Sequence, residues 1–314
     1  MPIRRLALLA VLVAACGREP SASSLVLGEG QLAVLGGSVW YTVSGTGTGT
    51  PLVLLHGGPG FPSYYLKPLE ALGSDRPVVR YDQLGAGKSG ATTDTTLFTI
   101  PHFVAELDSL RAFLGVARWD VLGHSWGSIL AVEYYRAHPD RVRALVLASP
   151  VMDIPAFEAR ARSLVSTLSD SAQRAIAAAE ASGDYASADY QAAMNEFYGL
   201  YVWRQPQQPD LDSAMAQFNQ AVYNYMQGPS EFTITGTLKT WSALAWLPTI
   251  TVPTLFTVGE FDEVGPELVR QHAALVPGSQ YAVLAGSAHL TPWDAPEENI
   301  RVAREFLLSV DSMP

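Results

Sequence analysis

Gly123-His124-Ser125-Trp126-Gly127 sets a serine between two glycines, directly after the strand-like run Asp120-Val121-Leu122 and before a helix-like one. A strand that turns sharply into a helix forces its central residue into strained backbone geometry. Glycines two positions either side remove the Cβ atoms that would collide there. Such an elbow lifts a serine Oγ clear of a sheet, and the helix that follows directs its free N–H groups and positive dipole end at any oxyanion that forms. The stretch predicts an α/β architecture in which Ser125 is a nucleophile.

Upstream, Pro51-Leu52-Val53-Leu54-Leu55 reads as a buried strand running into His56-Gly57-Gly58-Pro59-Gly60. Attack on a carbonyl requires two N–H donors aimed at the developing negative charge, one of them usually from the residue after the nucleophile. Trp126 supplies that donor. The second must come from a loop whose backbone can approach the substrate closely, and the Gly58 N–H is the candidate.

A serine nucleophile also needs a base and an acid to orient it, and behind such an elbow they follow in the order serine, acid, histidine. His56 and His102 precede the elbow, His124 is locked in the turn, His138 sits at a helix end, and His272 falls within the helical pattern Pro266 to Leu275. His289 remains, in the small-residue loop after the strand-like Tyr281-Ala282-Val283-Leu284. The carboxyl edge of a sheet is where a catalytic histidine belongs. The apolar strand Thr254–Gly259 ends in Glu260-Phe261-Asp262-Glu263. Asp262 is the best candidate acid, with Glu260 and Glu263 as rivals that spacing does not separate.

Five motifs, in order, carry a wider likeness. They are the HGGPG run, Tyr81-Asp82-Gln83-Leu84-Gly85-Ala86-Gly87-Lys88-Ser89, the GHSWG elbow, the segment Gly228 to Gly236, and Gly259-Glu260-Phe261-Asp262-Glu263. From about Gly28 onward the chain resembles the proline iminopeptidases and the related tricorn-interacting aminopeptidase. The resemblance implies an α/β-hydrolase with the triad Ser125, Asp262 and His289. It also implies that acidic residues matching Glu231 and Glu263 hold the substrate's free amino terminus. Chemistry supports the second point independently. An aminopeptidase needs negative charge near its nucleophile, and neighbouring carboxylates that repel one another are relieved by a bound ammonium. Leu84 stands where these enzymes often carry arginine, and Ser128 where a second glycine commonly follows the elbow. Those departures bear on the preference for proline over other residues, not on the triad.

Gly85-Ala86-Gly87-Lys88-Ser89 ends like a phosphate-binding loop, but Asp82 occupies the position of the required first glycine, and no helix begins at the lysine. Asp82 and Lys88 read as structural residues of a loop at the rim of the site.

At the amino end, Arg4 and Arg5 precede an apolar run from Leu6 to Ala15, too short to span a bilayer but suited to the core of a secretory signal. Val13-Ala14-Ala15-Cys16 resembles a bacterial lipoprotein signal. Residues 1–15 would be removed and Cys16 lipidated, with 16–28 as a tether to the cell envelope. This lone cysteine leaves no internal disulfide, so the core alone must stabilise the exported domain.

With 48% hydrophobic and 16% charged residues the composition is that of a globular enzyme. Its net charge of −10 becomes more acidic still once Arg4 and Arg5 leave, which argues against nucleic acid as a partner. The proposed chemistry calls for no metal or organic cofactor. Periodicity divides the rest. Leu32–Leu35, Gly36-Gly37 and Val39–Val43 predict an opening hairpin, after which strands and helices alternate as in a doubly wound, mostly parallel sheet (29–152). From 153 to 247 the strand signals stop. Helical spacing over Phe157–Leu168, Ala172–Ala181, Tyr190–Trp203 and Leu211–Met226 predicts an inserted helical cap. Alternation resumes over 248–314.

The expected activity is a serine aminopeptidase releasing proline or another apolar residue from short peptides or amides with a free amino terminus. An amino-acid amidase or a carboxylesterase would share the triad, and a non-catalytic, lipid-anchored binding protein would keep only the fold. Ser125 argues against hydrolases of similar fold that require an aspartate nucleophile. Oligomeric state is left open.

Overall fold

The computed structural model describes residues 25–206 and 209–313, so the lipidation expected at Cys16 and the leader before it lie outside the described residues. In chain order the strands are β1 (Gly28–Val34), β2 (Gly37–Ser44), β3 (Leu52–Leu55), β4 (Val78–Tyr81), β5 (Trp119–His124), β6 (Val142–Ala148), β7 (Thr254–Gly259) and β8 (Gln280–Leu284). They form one sheet in the order β1-β2-β4-β3-β5-β6-β7-β8. The β1–β2 hairpin and the β2–β4 pair are antiparallel, and every other pairing is parallel.

Every residue of β3, β4, β5 and β7 is buried, because helical layers cover the parallel part of the sheet. The edge strand β1 instead alternates exposed and half-buried residues. After β3 the chain steps to β4 on one side and then returns to place β5 on the other. Reversals of this kind leave a crevice at the carboxyl ends of the strands, where open α/β sheets bind ligands. Here the crevice lies between the HGGPG loop after β3 and the elbow after β5.

Asp120, fully buried within β5, would be intolerable alone. It is held by Arg76 Nη1 at 2.9 Å and by Arg143 at 2.9 and 2.6 Å. Both arginines also reach Asp311, which ends the last helix, so the cluster ties the entry end of the sheet to the chain's final turn.

The core helices are α1 (Ile100–Phe113), α2 (Trp126–Ala137), α8 (Pro266–Ala273), α9 (Thr291–Asp294) and α10 (Pro296–Asp311). Between β6 and β7 come α3 (Ile154–Val165), α4 (Asp170–Ser182), α5 (Ala188–Tyr201), α6 (Pro209–Ala216) and α7 (Gln220–Met226). Asp153, Ser169, Ser187 and Asn219 cap four of these with side-chain oxygens, as short polar N-cap residues do. The two crossings between this insertion and the core pair with each other: Ile154 N–H donates to Trp241 O (3.0 Å) and Ala243 N–H to Met152 O (2.9 Å). One difference from the sequence pattern is local. Leu211–Met226 is two helices, because the Asn219 N–H donates to Gly60 O (3.0 Å) while its Oδ1 caps α7. That break docks the insertion on the HGGPG loop. Among the described residues no helix is long and apolar enough to cross a membrane.

Candidate active site

Ser125 sits between β5 and α2 with φ 54° and ψ −122°, a conformation that an L-residue adopts only when its surroundings impose it. The flanking glycines show why the turn tolerates nothing larger. A Cβ on Gly123 would lie 2.2 Å from Gly127 O, and one on Gly127 would lie 2.2 Å from Leu55 O at the end of β3. Ser128 donates from Oγ to Ser125 O (2.5 Å) and accepts from the Val151 N–H (3.3 Å), which fastens the elbow to the loop after β6.

His289 and Asp262 meet across 27 residues, with Nδ1 of His289 at 2.9 Å from Oδ1 of Asp262. The same oxygen accepts from the Val264 N–H (3.0 Å). Glu260 is turned away, accepting from Gly286 N–H and exposed to solvent. Burial opposes a charge on His289, yet the Asp262 carboxylate and its hydrogen bond outweigh this and hold the imidazole above its usual ionisation range. Asp262 in turn is held below the usual carboxylate range: burial pushes it up, but the His289 charge and hydrogen bond prevail. Nδ1–H then points to the carboxylate and leaves Nε2 to take a proton.

The third carboxylate is the unusual one. Glu263 is fully buried, its Oε1 lies 3.9 Å from His289 Nε2, and neither oxygen accepts a hydrogen bond. Burial, then the nearby Glu231 and Asp262 charges, push its ionisation well up. Glu231, partly buried, accepts from Tyr223 OH (2.5 Å) and Gln227 Nε2 (3.3 Å). It too is raised, by burial first and by Asp262, against the opposing pull of Tyr223, His289 and Gln227. Two carboxylates that both resist ionisation beside one cleft make a site that a cation would stabilise.

Gly58 has φ +108°, and a Cβ there would come within 2.8 Å of two backbone nitrogens. Trp126 opens α2, so its N–H has no partner within the helix. Both residues line a small pocket with Ser125 and Glu231, of about 250 Å³, walled by Ile129, Val151, Ile154, Phe157 and Leu238. A larger cleft of about 560 Å³ also contains Ser125, Gly58 and Glu231, together with His289 and a set of mostly aromatic side chains from the core loops and the insertion. Among the described residues no group of three or more His, Cys, Asp or Glu could hold a metal ion.

Several supporting residues carry no local signal in the sequence. Gly57 N–H donates to Tyr65 Oη (2.7 Å), Tyr65 lies 2.8 Å from His124 Nδ1, and His124 Nε2 lies 2.8 Å from His289 O. A carbonyl can only accept, so Nε2 carries the hydrogen, and Tyr65 donates to Nδ1. Burial, then the His289 charge, pushes His124 down to about 3, which keeps it neutral in that tautomer. The His289 carbonyl also accepts from Ser149 Oγ (2.9 Å), and its N–H donates to Tyr201 O of α5 (3.1 Å). Gln83 accepts from the Trp126 indole (2.8 Å) and donates to His56 O (3.2 Å), joining the two loops that carry Gly58 and Trp126. Asp294 accepts from the N–H groups of Ala288, Arg204 and Gln205, clamping the histidine loop to the insertion. Asp82 and Lys88 are occupied structurally: Asp82 accepts from the N–H groups of Ser63 and Lys88, and the Lys88 ammonium pairs with Glu29 and lies over the Trp40 ring.

Comparison with known proteins agrees with this geometry. Residues 50–296 match the family model of the alpha/beta hydrolase fold. A proline iminopeptidase of Heyndrickxia coagulans is 39% identical over 285 residues, 90% of this chain and 99% of its own length. The solved structure of VinJ is 33% identical with a TM-score of 0.86, over 90% of this chain and 99% of that one. A proline iminopeptidase structure from Mycobacterium smegmatis is 31% identical with a TM-score of 0.83, over the same shares of the two chains.

Proposed function

Because the chain belongs to the α/β-hydrolase fold family and, within it, to the proline iminopeptidases, serine hydrolases of the prolyl aminopeptidase type, we propose that it releases the amino-terminal residue of short peptides by way of an acyl-enzyme. Ser125 Oγ attacks the first peptide carbonyl as His289 Nε2 takes its proton. Asp262 orients the imidazole and stabilises the imidazolium. The N–H groups of Gly58 and Trp126 receive the oxyanion, and His289 passes its proton to the leaving amine. Water, with His289 as base, then cleaves the ester on Ser125. The α-ammonium is held by Glu231 and Glu263, and the amino-terminal residue, proline or another apolar one, lies on the Trp126 side of Ser125.

One observation carries this reading: a fully buried Glu263 with no hydrogen bond to either oxygen, 3.9 Å from the reactive nitrogen of His289. A carboxylate so placed serves no purpose for a neutral ester, and an ammonium on the carbon next to the scissile carbonyl supplies what it lacks. The test compares kcat/KM for a prolyl amide and its N-acetyl counterpart. A strong preference for the free amine supports the reading, and equal rates assign the protein to general ester or amide hydrolysis.

We further propose that the enzyme works at the bacterial cell envelope, anchored by lipid on Cys16. Arg4 and Arg5, the apolar run from Leu6 to Ala15 and the following cysteine support this.

A further inference from the structure

The cleft around Ser125 has two compartments, and the proton path says which part of the substrate enters each. Trp126 lines only the small pocket, and His289 lines only the large one. The proton that leaves Ser125 is delivered by His289 to the departing nitrogen, so the leaving amine lies on the His289 side. On the proposed aminopeptidase reading, the compartment of about 560 Å³ therefore receives everything beyond the scissile bond. Its walls include Phe61, Trp203, Met215, Phe218 and Leu290, and among the described residues no lysine or arginine lines it. Among the described residues Glu231 is its one acidic lining residue.

From this lining we propose that the large compartment is a leaving-group subsite selective for bulky, apolar, uncharged amines. Aryl amines, aralkyl amines and peptides whose second residue is large and apolar and does not carry the free carboxyl terminus fit it. Phe61 packs edge-on against Phe218 and at a tilt against Tyr65, which makes an aromatic wall between the core and the insertion. Such a wall gains by removing apolar surface from water. A free dipeptide would instead bring its carboxylate into a poorly solvated space beside Glu231 with no cation to receive it, which is costly.

The test uses substrates with one acyl part and three leaving parts: Pro-Phe-NH2, Pro-Gly-NH2 and the free acid Pro-Phe. In the wild type, kcat/KM for Pro-Phe-NH2 should exceed that of each of the others by at least about tenfold, the discrimination that apolar pockets reach for small differences in surface. Phe218→Ala should narrow the ratio of Pro-Phe-NH2 to Pro-Gly-NH2. Met215→Lys, on a half-exposed wall, should raise the ratio of Pro-Phe to Pro-Phe-NH2 about tenfold. Phenethyl acetate and the acetate of glycolamide, each normalised to its rate of alkaline hydrolysis, ask the same question without an amino group. Preference for the phenethyl ester with no turnover of any prolyl substrate would overturn the aminopeptidase reading and uphold the subsite. Equal normalised ester rates, or Pro-Phe cleaved as fast as its amide, would overturn the subsite whatever the amine preference.

Discussion

Glu263 Oε1 stands 3.9 Å from His289 Nε2, while the Asp262 carboxylate holds Nδ1 of the same imidazole at 2.9 Å. One histidine thus faces two acids with different partners. Asp262 accepts through Oδ1 from the imidazole and from a backbone N–H. Glu263 has no hydrogen bond, and its neutral form is favoured until a cation arrives. The first arrangement serves proton transfer, and the second is suited to binding an ammonium.

Ser125→Ala and His289→Ala should each lower kcat by at least ~10³-fold, because each removes one member of a unit that acts together. The thermal midpoint of Ser125→Ala should stay close to wild type, since the change removes a single oxygen at the cleft, whereas His289→Ala should lower it by leaving the buried Asp262 carboxylate without its partner. Turnover near the wild-type rate in either purified variant would remove that residue from the mechanism.

Gly127→Ala places a methyl group 2.2 Å from Leu55 O, backbone of a central strand that cannot yield. A destabilisation of about 3 kcal/mol is expected, at the upper end of overpacking costs. Urea unfolding measures it, and an unchanged midpoint would show that the elbow has room this geometry denies it.

The pH dependence has a definite sign. His289 must be neutral to accept a proton, and Asp262 and Glu231 hold its ionisation above 6.5 against burial, while its neighbour His124 stays neutral. The rising limb of kcat/KM should therefore have its midpoint above 6.5, with activity lost as pH falls through it. Free-amine substrates should show a second, falling limb near pH ~8 as the α-ammonium deprotonates. Acetylated substrates should lack that limb. A rising midpoint below 6.5, or identical profiles for the two substrate types, would contradict this.

Cys16→Ser should move the full-length protein from the membrane fraction to the soluble one without changing its kinetic constants in detergent, since single acyl chains bind marginally but several anchor firmly. Equal sedimentation of the variant and wild type with membranes would rule out the lipid anchor.

How much of this was legible in the sequence depended on distance along the chain. The elbow and the HGGPG loop are local patterns, since Gly123, Gly127 and Gly58 are demanded by contacts within their own turns or the adjacent strand. The acid was not local. Asp262 and Glu260 sit on one loop, and only the fold shows that the first reaches His289 while the second meets Gly286. The links Gly57–Tyr65–His124–His289 and Gln83–Trp126 were invisible because their partners come together only when the sheet forms. Asp294 left a faint trace, an acid five residues after the candidate histidine, but its buried clamp on Arg204 and Gln205 depends on how the insertion packs. The split of Leu211–Met226 followed from a tertiary contact, Asn219 with Gly60, overriding a continuous helical pattern.

The most direct test of ammonium recognition is Glu231→Gln, which keeps the side chain's size and removes its charge. We would measure kcat/KM for a prolyl amide, its N-acetyl counterpart and a simple ester in both proteins. Loss of one charge-assisted contact should cost about 1.5–3 kcal/mol, or roughly 10- to 150-fold, on the free-amine substrate alone. The acetylated amide and the ester should change little. An equal slowing of all three substrates would show that Glu231 supports the cleft without reading the amine, and would contradict the aminopeptidase assignment at its centre.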